Sequence, residues 1–298
     1  MKNSGKSEAQ YFTVTLSRQN TRKWSGFVAY NYGKALDLMH GTAIASNSWR
    51  EALSVNGNNS VTELGFSRND QRHRVIGSVS FKKKWKKKHT TEFTLVGEYK
   101  NQGNYSYALQ GDANFDGLSG NDLMYIPSKN EQLKFVDILQ KDGSIQFSAA
   151  QQAAAFDAFV SKDAYLSKNR GKYAQRNGAL LPWIKNFDLS IIHDFKLKIS
   201  TKPTVLQARI DILNVGNFLN NTWGVGYRLN NFDAFRSATA ILRVPLDKDG
   251  KTNIAKQTDP EMQVQMIPLN GKLDYDILTR SANINDVWQA QIGLRWSF

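Results

Sequence analysis

Asp112, Asn114, Asp116 and Gly117 read D-x-N-x-D-G, oxygen-bearing side chains two residues apart ahead of a glycine. On a tight turn such side chains converge on one hard cation, and calcium takes about six to eight oxygen ligands of this kind. Leu118 can add its backbone carbonyl and Asp122 a late carboxylate. The twelfth position, where a calcium loop usually places a bidentate glutamate, holds Leu123. The spacing therefore gives two readings, a calcium loop without its last ligand or an Asx-rich turn in a solvated segment.

Little else in the chain could do chemistry. The four histidines, His40, His73, His89 and His193, are scattered, and no Ser-His-Asp spacing accompanies them, so an enzyme is not expected. There is no cysteine, which excludes a disulfide framework and thiolate metal sites. The net charge is +13, and Lys82 to Lys84 with Lys86 to Lys88 supply six of the lysines in one run around Trp85. Counterion release on nucleic acid is one reading of such a run. Its place in a short turn between two amphipathic segments favours contact with anionic lipid headgroups, and no nucleic-acid partner is expected.

The elements that carry these residues are legible from alternation. Trp288, Ala290, Ile292, Leu294, Trp296 and Phe298 alternate with Gln289, Gln291, Gly293, Arg295 and Ser297, an apolar and a polar face in one strand. Similar segments predict nine strands, at about 10–19, 23–33, 71–82, 90–102, 184–198, 204–216, 222–230, 236–246 and 286–298. They are near ten residues or longer, where soluble strands average about five or six and a tilted bilayer-crossing strand needs about 9–11. Loops at 34–70, 103–183 and 247–285 are long and the connections between them short, with one exception near 217–221. That asymmetry, with aromatics at strand ends, is the layout of an outer-membrane barrel rather than a soluble sandwich. The polar alternates Glu92, Glu98, Asp188, Asp194, Arg209, Asp211 and Arg295 are then expected to face the lumen. Ala153, Phe156, Val160 and Ala164 fall at helical spacing and predict a short helical insert within the largest loop. No run approaches the roughly 18–20 apolar residues of a membrane helix. The N-terminal residues contain no apolar signal region, leaving a cytoplasmic protein or a piece of a longer chain.

Four stretches resemble one family. The closing segment Trp288–Phe298 is similar to the last strand of TonB-dependent outer-membrane receptors. Gly111–Gly117 with Asn121–Pro127 resembles a loop of the branch that carries a carboxypeptidase-regulatory-like domain before its plug. Asn169–Gly178 with Pro182-Trp183 and Phe187–Leu189 is similar to the strand entry that follows, and Asp211–Asn220 with Trp223-Gly224 to a later strand end. The resemblance implies a barrel of about 22 strands around a plug, energised by the TonB complex through the N-terminal part, placed by the barrel assembly machinery in outer-membrane lipid. It implies uptake of a bulky oligosaccharide, peptide or metal chelate, with no cofactor required. It also makes the row Trp288, Ile292, Leu294, Trp296 and Phe298 the assembly signal. The expected fold class is all-β: an antiparallel transmembrane wall of about nine strands, with no plug, no TonB box and two open edges. A small outer-membrane barrel enzyme and a soluble β-rich binding or adhesion module are the alternatives.

Overall fold

The computed structural model describes residues 5–19, 23–39, 44–50, 52–55, 63–85, 89–199, 202–233, 238–245, 262–281 and 283–297. It is mostly strand, and it divides into a long-stranded wall and a cap built from the connections at one end of it.

The wall consists of β1 (Glu8–Arg18), β2 (Trp24–Asp37), β3 (His73–Trp85), β4 (His89–Asn101), β5 (Trp183–Ile199), β6 (Lys202–Leu213) and β7 (Gln289–Ser297). Each pairs antiparallel with the next in sequence, a plain meander, and the two-residue strand Gly65–Phe66 extends one end of β2. Among the described residues β1 and β7 each pair on one side only, and the sheet does not close on itself.

Among the described residues the wall has seven long strands, where nine were expected. The segments expected at 222–230 and 236–246 form only Tyr227–Leu229 and Ala238–Arg243, and both lie in the cap. Alternation misleads here because it reports two unlike faces without saying what covers them. Ala238–Arg243 is buried along nearly its whole length, which marks an interior strand. With these two removed the short exception near 217–221 disappears: Val215–Leu219 is a short helix inside a long connection. Connections at 19–23, 86–88 and 200–201 are short, those at 38–72, 102–182 and 214–288 long, in strict alternation.

The cap draws strands from two of the long connections. Its sheet runs Ala179–Leu180, Asn104–Gln110, Ala238–Arg243, Gln263–Met266, Lys134–Phe135, with Asp122–Leu123 and Phe232–Asp233 at its flanks. Asn104–Gln110 and Ala238–Arg243 run parallel, so the two connections are bonded into one unit at its centre. Parallel strands bury both faces. Tyr107, Met124, Ile126, Ile241 and Met266 are fully buried, and among the described residues only Ala29 and Ala35 of the buried apolar side chains belong to wall strands.

One helix, Ala149–Lys162, closes this core. Ser148 caps it, accepting from the Gln151 backbone N–H while the Gln151 side chain accepts from Ser148 N, a reciprocal capping box. Phe156 and Val160 point inward one turn apart, with Gln152 one turn before them. Gln152 is fully buried yet satisfied: its Nε2 donates to the Val136 carbonyl at 2.8 Å and its Oε1 accepts from Met266 N at 3.0 Å. Ala153 is half-buried, and Ala164 is exposed because the helix ends at Lys162.

Candidate functional site

The register turns single-strand alternation into continuous bands. One row across six strands reads Trp24, Phe81, Phe93, Ile191, Ile210, Ile292; the next reads Gly26, Val79, Leu95, Leu189, Ile212, Ala290. Among the described residues no other strand packs against this face. Leu16, Ile292 and Leu294 are 73%, 75% and 76% exposed. Aromatics bracket the aliphatic band. Towards the cap Tyr99 stacks on Trp183 at 4.5 Å; towards the short turns lie the Trp24–Phe81 pair at 4.5 Å, Trp85 and Trp296. Gly77 and Gly97 pair across β3 and β4, and a Cβ at Gly77 would stand 2.9 Å from the Phe27 carbonyl oxygen, a close approach that only glycine allows.

Trp288, Ile292, Leu294 and Trp296 lie on or just before β7, all exposed, and Trp288 meets the Phe218 ring edge-on at 5.6 Å. Phe298 lies outside the described residues, as do His40 and Lys86 to Lys88. His193 falls on the apolar face, where its Nδ1 is 2.8 Å from Thr91 Oγ1 and its ring packs on Phe195 at 4.3 Å.

The opposite face is polar, and the register brings all seven expected residues, Glu92, Glu98, Asp188, Asp194, Arg209, Asp211 and Arg295, onto it. Six of them are engaged. Glu98 meets Arg74 at 2.6 Å and Lys100 at 2.8 Å, Glu92 meets Lys82 at 3.2 Å, and Arg209 meets Asp211 at 2.6 Å. Asp194 accepts from Gln207 and Asp188 from the Asn214 backbone N–H. Arg295 stands opposite Gln207. The face carries charges of both signs.

The acidic loop lies in the cap. Asp112 accepts from the backbone N–H groups of Asp116 and Gly117, and Asp116 accepts from Leu118 N and from Asn121 Nδ2 at 2.9 Å. Asp122, fully buried, accepts from Ala113 N at 2.8 Å and from Asn114 Nδ2, which brings the late carboxylate back to the start of the loop. Burial first, then the charges of Asp116 and Asp112, push the Asp122 carboxyl up to about 7. Asx-turn geometry is thus present. Among the described residues no three His, Asp or Glu side chains are grouped closely enough to hold an ion. Two of the loop's oxygen donors are amides, however, and Asn121 Oδ1 is fully buried without a partner. Sequence reasoning missed Asn121 as a member of this cluster. Its place beside Asp122 is the only signal that could have found it.

Compared with known protein families, with curated proteins and with solved structures, the chain matches none.

Proposed function

We propose that this chain forms part of the wall of an outer-membrane transporter of the TonB-dependent receptor type, with the cap on the outside of the cell and the short turns in the periplasm. The observation that carries the reading is the seven-stranded sheet with one uncovered, aromatic-bracketed apolar face and one polar face. Such a sheet suits a bilayer on one side and a hydrated lumen on the other. Strict alternation of short and long connections supports the same orientation. The solute passing the polar face is a bulky nutrient, and the driving energy comes from the TonB complex through an N-terminal plug. Lipid and the barrel assembly machinery are the other partners, and the protein is not an enzyme. The unpaired outer edges of β1 and β7 are where the rest of the wall joins, since an open edge in hydrocarbon costs several kcal/mol per unsatisfied group.

The test is cysteine labelling in intact cells producing the protein. Cysteine at Asn114, in the cap, reacts with a membrane-impermeant maleimide; cysteine at Lys84, at the end of β3 beside the short turn, reacts only after the cells are opened. The reverse pattern overturns the orientation, and equal labelling of both in a soluble fraction overturns the membrane reading.

A further inference from the structure

The apolar face of the wall breaks its own pattern at the short-turn end of β3, β4 and β5. Two adjacent rows there read Lys83, Thr91, His193 and Trp85, His89, Phe195. These side chains form one cluster. The His193 ring packs on Phe195 at 4.3 Å, and the His89 ring stands 5.7 Å from His193 and edge-on to Phe195 at 5.5 Å. Lys83 is exposed, and its Nζ lies over the Trp85 ring, 3.6 Å from the ring centre. The acids of these strand segments belong to the opposite face, where Glu92 pairs with Lys82 at 3.2 Å and Asp194 accepts from Gln207. The rows themselves therefore carry positive charge and ring nitrogens without a carboxylate.

A relay of hydrogen bonds sets one of those nitrogens. Trp85 Nε1 donates to Thr91 Oγ1 at 2.8 Å, which leaves the Thr91 hydroxyl hydrogen for His193 Nδ1, also at 2.8 Å. The His193 N–H is then on Nε2. That Nε2 is not enclosed by protein; of the two His89 nitrogens Nδ1 is enclosed, so only Nε2 reaches the surface.

We infer that this cluster is a headgroup site for one anionic phospholipid, its phosphate oxygens accepting from Lys83 Nζ and His193 Nε2 beside the His89 ring. The acyl chains run along the next row of the same face, Phe93, Ile191 and Ile210. The inference rests on reading that face as lipid-facing, and it narrows a general attraction of the lysine run to particular donors. Phosphate oxygens only accept, and Lys83 and His193 Nε2 are donors aimed at no protein group. A headgroup that also carries an ammonium has no carboxylate to meet on these rows. The Trp85 face that could hold a quaternary ammonium is already taken by Lys83.

The test is titration calorimetry on the full chain in a maltoside detergent, which contains no phosphate. The probes are dihexanoyl phosphatidylglycerol, dihexanoyl phosphatidylcholine and inorganic phosphate. Phosphatidylglycerol should bind about tenfold more tightly than either of the others. Lys83→Gln should weaken it about fivefold, the effect of one lysine beside an anionic surface, and Lys83→Arg should retain it. His193→Phe, which keeps a ring but no donor, should weaken it about tenfold, as expected for one hydrogen bond to a charged group. Lys84→Gln, one residue on but on the opposite face, should leave it unchanged. Equal loss in Lys84→Gln would reduce the site to a diffuse basic turn and overturn the inference. Equal binding of the two lipids, binding of inorganic phosphate as tight as that of phosphatidylglycerol, loss in Lys83→Arg, or no binding also overturns it. Cysteine labelling in a soluble fraction removes the membrane reading, whereas a lost headgroup preference with the expected labelling pattern removes this site alone.

Discussion

The wall and the cap are written in the same period-two code and put it to opposite uses. In the cap, Tyr105, Tyr107 and Leu109 lie against Ile241 and Met266 with almost no exposure. In β7, Ile292, Leu294 and Trp296 alternate as regularly and are at least 60% exposed. The cap solves its burial problem inside one chain and has an ordinary core. The wall leaves most of its apolar face uncovered by any described residue, the kind of contiguous patch that marks a surface made for a partner or a lipid phase. Alternation identifies a face; only the partner of that face distinguishes a core from a membrane surface.

The largest expected effect falls on the cap. Phe156→Ala should cost the cap about 3–5 kcal/mol, read by hydrogen exchange across 104–126 and 238–244, with protection of the wall strands unchanged. Loss of protection in both regions together would mean that they are one cooperative unit and the contrast is false. Next is the wall. Leu294→Arg sets a charge on the apolar face and should cost about 2–4 kcal/mol near a bilayer midplane, less near its edge, by urea unfolding in lipid vesicles. Arg295→Leu, one residue on but on the polar face, should be milder, and the opposite ranking would exchange the two faces.

Smaller effects belong to the acidic loop. An aspartate whose folded-state pKa is raised holds its proton in the fold and releases it on unfolding. The stability it contributes is full below its ordinary value of 3.8 and is lost as pH rises through about 7. In calcium-free buffer, protease resistance of 103–183 should therefore fall between about pH 4 and 7, and Asp122→Asn should flatten that profile. The smallest expected effect is metal-dependent. With a dissociation constant of about 10⁻⁴–10⁻³ M, as in extracellular calcium modules, about 10 mM calcium should slow cleavage at neutral pH and add about 1–3 kcal/mol. Asp112→Ala combined with Asp116→Ala should abolish the difference. Equal cleavage with calcium and with chelator would leave the loop as a turn.

The long strands are readable because each of β1 to β7 repeats its pattern three or more times along one face. The cap was read less well, for a reason visible in its residues. Asn104–Gln110 alternates Tyr105, Tyr107 and Leu109 with Asn104, Ser106 and Ala108, but all except Gln110 are buried, because a parallel neighbour and the Asp122–Leu123 strand come from distant sequence. Nothing local announces such pairing. The seven charged residues of the polar face were legible as a set because parity alone assigns a face. Their pairings, such as Glu98 with Arg74, follow from register and were not.

Seven is an odd number, and that has a consequence for how the wall can be completed. In a meander of seven, β1 and β7 point the same way along their axes. Joined edge to edge they could pair only in parallel, and a second copy inserted the same way up would offer the same mismatch. An antiparallel ring containing this sheet therefore needs an odd number of further strands, beginning and ending opposite in sense to β1 and β7. The even strand counts of bacterial single-chain barrels satisfy that arithmetic, whereas rings assembled only from copies of this sheet inserted the same way up do not.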